Sequence, residues 1–249
     1  MKQIVALRSI SALEYKVYKE KRRFDAESSI KDLIYRTIKR CFDLISSLLV
    51  SMILIAPLMA LCICVAIKDF GNPFYMHKRV GKNNTEFRML KLRSMKKGSD
   101  DVEHTLCAEQ LEKYRQEYKL EDDPRLIGWE KEGDGRTCFG AWLRRTSLDE
   151  LPQIMWNILL KGNMSVVGPR PILREELEQH YTPDERELLL SVKPGLTGYW
   201  QAYARNNATY ESGERQRMEL FYVKNRNIWF DIKIVLVTIG AVLRKCGAK

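Results

Sequence analysis

The sequence has few of the residues on which metal-binding and disulfide-stabilised proteins depend. It holds three histidines and six cysteines in 249 residues, and no two cysteines show the C-x-x-C spacing of a zinc site. These counts exclude a disulfide scaffold and argue against a histidine-rich metal site. The G-x-G-x-x-G and G-x-x-x-x-G-K-[ST] patterns are also missing, so the sequence predicts neither a Rossmann nor a P-loop nucleotide site.

Positive charge, in contrast, is abundant. The chain carries 42 Lys and Arg against 32 Asp and Glu, a formal net charge of +10, and 45% of its residues are apolar. This composition fits a globular chain whose partner is anionic, such as nucleic acid, a phosphorylated substrate or acidic lipid. No recognition helix or aromatic RNA-binding motif is present, so we expect no nucleic-acid partner.

Residues 44–67 form a long apolar run without a single charged side chain. A run of more than about 18 such residues predicts a membrane-embedded segment, and its length and position exclude a signal peptide. Pro57 lies mid-segment, where its ring clashes with the preceding turn and its nitrogen cannot donate a hydrogen bond. Each half spans only about 16–20 Å at 1.5 Å per residue, against roughly 30 Å of hydrocarbon.

Both flanks of the apolar run are basic. Because positive residues mark the cytoplasmic side of a membrane, a spanning helix would leave one basic flank outside. We therefore expect a re-entrant helix-break-helix hairpin, broken at Pro57, with both ends in the cytoplasm; a spanning helix kinked at the proline is the alternative. The flanking residues are Lys21, Arg22, Arg23, Lys31, Arg36, Lys39 and Arg40 before the run and Lys68, Lys78, Arg79 and Lys82 after it.

The chain is predicted to contain three regions. Residues 1–40 form a basic juxtamembrane region, which suits either a helix on acidic headgroups or a solvated charged face. Residues 41–67 form the re-entrant segment, and residues 68–249 a cytoplasmic domain without an internal linker. The predicted fold class is α/β, a small membrane-associated domain with amphipathic interfacial helices.

Within the third region, short patterns predict the local structure. Strand-like runs around Gly81–Asn84 predict a hairpin over 73–95, and residues 128–136 predict a polar loop. Residues 228–246 are apolar but interrupted by charge, which favours an interfacial helix. Further helices are predicted over 104–119, after Asp149, over 173–181 and over 183–191.

Two adjacent carboxylates, Asp149 and Glu150, open one of these predicted helices. Ser147 and Glu150 match a capping box, whose simplest interpretation is helix initiation, although a start at Asp149 would better accommodate Pro152 in the first turn. The positive end of a helix favours an ionised Asp149 and offers N–H groups to a phosphate. A carboxylate held in this way can act as a nucleophile and form an acyl phosphate.

Basic side chains are available to neutralise the phosphate charge. Arginine's planar fork matches phosphate oxygens in pairs, and the two prolines around Arg170 restrict how that side chain is presented; a rigid surface turn is the alternative. Carboxylates with few soft ligands favour Mg²⁺, bound by Asp149 and Glu150. The candidate phosphate-binding residues are Lys91, Arg93, Arg144, Arg145 and Arg170.

Several motifs follow the proline-interrupted segment in a fixed order. They are KLRSM (91–95), LRRTSLDELPQ (143–153), VVGPRP (166–171), KPGLTGYWQ (193–201) and FYVKN (221–225). Together they resemble the bacterial sugar transferases, the monotopic phosphoglycosyl transferases that initiate surface-glycan assembly. The resemblance extends from about residue 40 to nearly the C-terminus.

The resemblance implies Mg²⁺-dependent, ping-pong transfer of a sugar phosphate from a UDP-sugar to polyprenyl phosphate, which is undecaprenyl phosphate in most bacteria. Asp149 would attack the β-phosphorus, release UMP and carry the phosphosugar until the lipid phosphate attacks. Glu150 would assist at the metal or in activating the second nucleophile, and Lys91, Arg144 and Arg170 match basic residues around the phosphates.

The implied setting is the cytoplasmic face of the cytoplasmic membrane, among membrane lipids. There the product starts a capsule, exopolysaccharide, O-antigen or glycoprotein glycan and passes to downstream glycosyltransferases. General likeness favours an unmodified hexose, glucose or galactose, and a homodimer is compatible with this kind of protein.

The sequence also departs from the family pattern. Ala56 precedes Pro57 where better-known members have a serine whose hydroxyl would help to satisfy the freed backbone. Glu219 stands where aspartate is expected, and the stretch at 126–140 is longer than in the family. A longer stretch at 154–167 would move Arg170 relative to Asp149. The chain resembles the minimal, single-anchor form, without the spanning helices of larger members.

A membrane-anchored basic adaptor that binds acidic lipid or protein without catalysis is the alternative function. It accounts for the charge and the anchor, but it gives no reason for SLDELPQ and GPRP to occur together.

Overall fold

The computed structural model describes residues 12–117, 120, 123–128, 138–204, 210 and 212–243. The chain divides into two compact units, Met1–Phe42 and Asp43–Lys249. In its described residues, the second unit mixes helices with two two-stranded sheets.

Helix α1 runs over Ala12–Lys68 and contains Pro57. Its part from Ile30 to Lys68 is long and apolar enough to cross a membrane. The helix continues through Pro57, so the expected hairpin is not seen; a proline kinks a helix and removes one hydrogen bond without having to end it. Large apolar side chains are exposed along it, namely Ile45, Leu48, Leu49, Met52, Ile53, Ile55, Met59, Ile63 and Ile67.

Both ends of the apolar run contact the rest of the second unit. Near its start, the buried carboxylate of Asp43 accepts hydrogen bonds from the Ser165 hydroxyl at 3.0 Å and the Val166 backbone N–H at 2.9 Å. Near its end, Val65 is fully buried against Ile127 and Leu143. These contacts connect the membrane segment to the elements that carry the candidate site.

The predicted hairpin is confirmed. Strands β1 (Phe74–Val80) and β2 (Glu86–Leu92) pair antiparallel, with Phe74 opposite Leu92 and Val80 opposite Glu86. Asn83 and Asn84 turn the chain with φ of 56° and 61°, a left-handed conformation that asparagine tolerates better than most residues.

The region between the hairpin and the carboxylates differs from the prediction. Instead of one helix over 104–119, there are α2 (Val102–Thr105) and α3 (Ala108–Glu117). The Asp101 carboxylate caps α2 through the His104 backbone N–H, and the chain turns at Leu106, which is buried. The predicted loop over 128–136 lies, apart from Gly128, outside the described residues, and α4 spans Phe139–Arg145.

The remaining elements form the main core. Strand β3 (Ser165–Val167) pairs parallel with β4 (Gly195–Thr197), and α5 (Arg174–His180) and α6 (Pro183–Leu189) confirm the two helices predicted there. They are followed by α7 (Tyr199–Tyr203), α8 (Glu214–Asn225) and α9 (Ile228–Leu243). Buried side chains of these elements pack together, among them Val167, Leu177, Leu189, Tyr222 and Ile234.

Helix α9 carries an acidic residue, Asp231, whose side chain is hydrogen-bonded inside the core. Asp231 is buried and accepts a hydrogen bond from the Tyr222 hydroxyl at 2.7 Å. Trp229, Leu236 and Ile239 are exposed. One face of α9 therefore belongs to the core, and the interfacial position of the other stays a prediction.

Candidate functional site

Strand β2 brings a lysine to the two adjacent carboxylates. The Lys91 Nζ atom lies 2.8 Å from Glu150 Oε1 and 3.8 Å from Asp149 Oδ2. Asp149 is buried, whereas Lys91 and Glu150 are partly exposed. An ammonium group close to two neighbouring carboxylates offsets the repulsion between them. The same group can also form an ion pair with the phosphate of a substrate.

The carboxylates stand on a three-ten turn, Leu148–Glu150, and not on the first turn of a regular helix. Ser147 has a φ of 57° and its side chain does not cap the turn, so the capping-box interpretation is wrong. Pro152 supplies the reason, because it cannot donate the bond that an α-helix needs at Leu148; the Leu151 N–H bonds to Leu148 O instead. A π-helical segment, Ile154–Leu160, follows.

A small pocket lies between Lys91 and Glu150 on one side and the GPRP segment on the other. It encloses about 30 Å³, and Lys91, Glu150 and Arg170 line it together. Its other lining residues are Arg79, Met89, Gln153, Pro171, Gly195, Leu196 and Gln201. Asp149 lies next to Glu150 but is not among the lining residues.

Close glycine contacts hold the GPRP segment in place. A Cβ on Gly195 would collide with the backbone of Gly168, and one on Gly198 with the Gly168 carbonyl oxygen. The backbone N–H of Arg170 donates to both carboxylate oxygens of Glu219 at 3.2 Å. The glycines and Glu219 thus fix the backbone that carries Arg170 into the pocket.

The sequence analysis did not predict a set of buried charges that includes Arg79, a lining residue of the pocket. Arg79 donates to Glu176 Oε2 at 3.5 Å, and its Nη2 lies 3.2 Å from His77 Nδ1. The Arg215 guanidinium lies 4.3 Å from the Trp200 ring centroid and 3.8 Å from that of Tyr210. These charged residues come from distant segments of the chain, so no local sequence motif predicts that they meet.

Burial shifts the pKa of several of these groups. It lowers the pKa of Arg79 to about 10, with a further contribution from the charge of Arg170. It lowers the pKa of His77 to about 3, assisted by Arg79, so this imidazole stays neutral at ordinary pH. It raises the pKa of Glu219 to about 7 against the opposing effect of Arg215.

Three of the predicted phosphate-binding residues lie elsewhere. Arg93 pairs with Asp69 Oδ2 at 3.2 Å and so connects β2 to the end of α1. Arg144 and Arg145 are exposed on α4, where Arg144 lies 3.9 Å from Asp123. None of the three lines the pocket, whereas Lys91 and Arg170 do.

The two carboxylates are compatible with a bound Mg²⁺. Among the described residues, no group of three or more His, Cys, Asp or Glu side chains could hold a metal by itself. Mg²⁺, however, is commonly bound by one or two carboxylates and completed by substrate phosphates and water. Asp149 and Glu150 supply two hard oxygen ligands of this kind beside a basic pocket.

Comparisons with known proteins assign the chain to a family. A family model described as "Bacterial sugar transferase" matches residues 34–245. Over 214 residues the chain is 38% identical to the exopolysaccharide production protein ExoY of Rhizobium meliloti (strain 1021), a match that covers 84% of this chain and 87% of that protein.

Two further relatives are longer. The chain is 39% identical over 216 residues to the UDP-galactose-lipid carrier transferase of Erwinia amylovora, covering 86% of this chain and 42% of that protein. It is 34% identical over 212 residues to the UDP-glucose:undecaprenyl-phosphate glucose-1-phosphate transferase of Escherichia coli (strain K12), covering 83% and 40%. The chain therefore spans less than half the length of these two relatives.

Proposed function

The chain belongs to the bacterial sugar transferase family, and from this membership we propose that it transfers a sugar 1-phosphate from a UDP-sugar to polyprenyl phosphate. The observation that carries the proposal is the position of Lys91, which lies beside Asp149 and Glu150 and lines a pocket together with Glu150 and Arg170. Relatives named for galactose and glucose transfer favour a hexose as the sugar and undecaprenyl phosphate as the lipid.

In the first half-reaction, a carboxylate oxygen of Asp149 attacks the β-phosphorus of the UDP-sugar. The bond from this phosphorus to the bridging oxygen breaks, and UMP leaves with that oxygen. The sugar phosphate is then held as an acyl phosphate on Asp149. Lys91 and Arg170 support this step because their charges stabilise the phosphoryl oxygens on which negative charge accumulates.

In the second half-reaction, an oxygen of the polyprenyl phosphate attacks the same phosphorus. The Asp149 carboxylate leaves, and the product is a polyprenyl diphosphosugar. Glu150 lies 2.8 Å from Lys91. It is therefore suited to keep the lysine near the phosphates and to assist the incoming lipid phosphate.

Mg²⁺ would be held by Asp149 and Glu150 together with the substrate phosphates. When bound, it would neutralise the diphosphate charge and favour the departure of UMP.

Although the helix continues through Pro57, we further propose that the apolar run bends there within the bilayer and is re-entrant, so that the catalytic unit lies on the cytoplasmic face. Asp43 and Val65, near the two ends of the run, both contact the unit Asp43–Lys249. If a straight helix crossed the bilayer between them, about 30 Å of hydrocarbon would separate these contacts. The basic residues on both flanks support the same arrangement.

Intact-protein mass spectrometry tests the nucleophile. The purified protein is incubated with Mg²⁺ and single UDP-sugars without the lipid acceptor, and UMP release is measured in parallel. We expect an adduct with the mass of a sugar phosphate on the wild type. Asp149→Asn should show no adduct and a UMP release lowered by at least about 1,000-fold, because the attacking oxygen is lost.

Glu150→Gln is the matched control, since it neutralises the adjacent carboxylate and leaves Asp149 in place. We expect this variant to form the adduct more slowly. An adduct that persists in Asp149→Asn would refute the assignment of the nucleophile. A wild type that forms no adduct and releases no UMP with any UDP-sugar would favour the adaptor function.

A further inference from the structure

Three polar side chains that line the pocket keep a buried atom without a hydrogen-bond partner among the described residues. These atoms are Arg79 Nε, Gln153 Nε2 and Gln201 Oε1. Gln153 is 2% and Arg79 8% exposed, so water does not readily replace a missing partner. A buried polar group without a partner is unfavourable, and its repeated occurrence around one pocket indicates a ligand that completes the bonding.

The chemistry of the three atoms distinguishes between parts of such a ligand. Phosphate oxygens at neutral pH are acceptors, so they can bond to the N–H groups of Arg79 and Gln153 but not to the Gln201 carbonyl oxygen. A hydroxyl group both donates and accepts, and it can therefore bond to Gln201 Oε1 and to Gln153 Nε2. The combination of donors and an acceptor matches a polyol better than a phosphate.

The rest of the pocket is consistent with this division. Lys91 and Arg170 supply positive charge, whereas the two glutamines are neutral and add an acceptor without repelling the phosphate. The pocket encloses about 30 Å³, room for about two water-sized groups, which is the scale of hydroxyl groups entering from a ring at its mouth.

We infer that Gln153 and Gln201 form the sugar-recognising wall of the pocket, which Arg79 also lines. Their amides hold hydroxyl groups of the hexosyl unit while Lys91 and Arg170 hold the phosphate. This inference rests on the proposed transferase function and deepens it by naming the residues that determine sugar specificity.

Substrate discrimination tests the inference. The measured quantity is kcat/KM for UMP release, with lipid acceptor present, for UDP-glucose, UDP-galactose, UDP-N-acetylglucosamine and UDP-xylose. The ratio between the best and the poorest sugar expresses the preference of each variant. We expect Gln153→Leu and Gln201→Leu each to lower this ratio by about tenfold or more, because a site built on hydrogen bonds to a substrate loses its selectivity with them.

Glutamate variants separate donor from acceptor. Gln201→Glu keeps an acceptor oxygen and should retain most of the preference, whereas Gln153→Glu loses the donor N–H and should behave like Gln153→Leu. Inhibition by UMP, which lacks both the β-phosphate and the sugar, should be unchanged in every variant that is folded. A loss of preference in Gln201→Glu together with its retention in Gln153→Glu would overturn the inference.

Gln216→Leu is the matched control. The Oε1 atom of Gln216 is also buried without a partner among the described residues, but Gln216 lies on α8 and does not line the pocket. It should keep the wild-type preference. Unchanged preference in both pocket leucine variants would refute the sugar wall while leaving the transferase function intact. A wild type that turns over no UDP-sugar would instead refute the function.

Discussion

Glu219 is a carboxyl group almost removed from water, with 2% of its surface exposed, and it accepts the backbone N–H of Arg170. Burial raises its pKa to about 7. Between the ordinary glutamate pKa of about 4.3 and pH 7, the folded protein therefore holds a proton that the unfolded chain releases. In this range the carboxyl group contributes less to stability as the pH rises.

This gives a pH-dependent prediction for Glu219→Gln. The amide stays neutral, so the variant avoids the loss of stability that the wild type undergoes between about pH 5 and pH 7. We expect the Tm of the variant, relative to wild type, to increase from pH 5 to pH 8 when both are followed by tryptophan fluorescence in detergent. His77 contributes equally to both proteins and cancels in the difference.

Glu187→Gln is the control for this comparison, because Glu187 is exposed on α6. Its Tm difference from wild type should stay constant over the same range. A constant difference for Glu219→Gln as well would show that the group is already ionised at pH 5.

At the scale of elements, the pairing of β3 with β4 depends on glycine. The two strands are three residues each, too short to be stable from backbone hydrogen bonds alone. The approach of Gly168 to Gly195 and Gly198 lets the two loops lie against each other and fixes the backbone of Arg170. The position of this side chain is thus set by two turns distant in sequence.

The substitution Gly195→Ala should push the backbone at position 195 away from Gly168. The added Cβ would meet backbone atoms of Gly168 and Thr197, which cannot move independently of their strands. We expect a loss of about 1–3 kcal/mol in the free energy of unfolding and a lower Tm. Transferase activity should fall as well, because Arg170 is displaced.

Gly240→Ala provides the matched control. A Cβ there meets no atom within 4 Å in the described part of the chain, and Gly240 lies inside α9. Alanine favours helix by about 1 kcal/mol over glycine, so the Tm should stay the same or rise. Equal losses for the two variants would contradict the proposed role of the glycine contact.

At the scale of the whole molecule, the central question is how the apolar run meets the membrane. Its exposed side chains include Ile53, which is 74% exposed, and Ile45, which is 61% exposed. Exposed apolar surface on this scale needs a lipid or protein environment. The contacts of Asp43 and Val65 with one unit favour the arrangement with both ends on one side of the bilayer.

Thiol labelling in intact cells tests this topology. Single cysteines are introduced as Thr37→Cys and Lys78→Cys, one on each side of the run, in a chain whose native cysteines are replaced. We expect neither position to react with an impermeant reagent until the cells are permeabilised, when both should react. Labelling of only one position in intact cells would establish a spanning helix.

Sequence alone determined the features that depend on neighbouring residues. Strand-like runs around the Gly81–Asn84 turn predicted the hairpin, and the uncharged run from 44 to 67 predicted the membrane segment. The motifs LDELPQ and GPRP selected Asp149, Glu150 and Arg170. These patterns are local, because helices and strands are specified by residues a few positions apart.

Only the tertiary structure decided which groups meet across the fold. Lys91 and Glu150 are 59 residues apart, and Arg79 and Glu176 are 97 apart. Separation in sequence also concealed that Arg93 pairs with Asp69, and that Gln153 and Gln201 line one pocket. Charge and motif identify which residues are able to bind a phosphate or a sugar, but packing determines which of them face the same space.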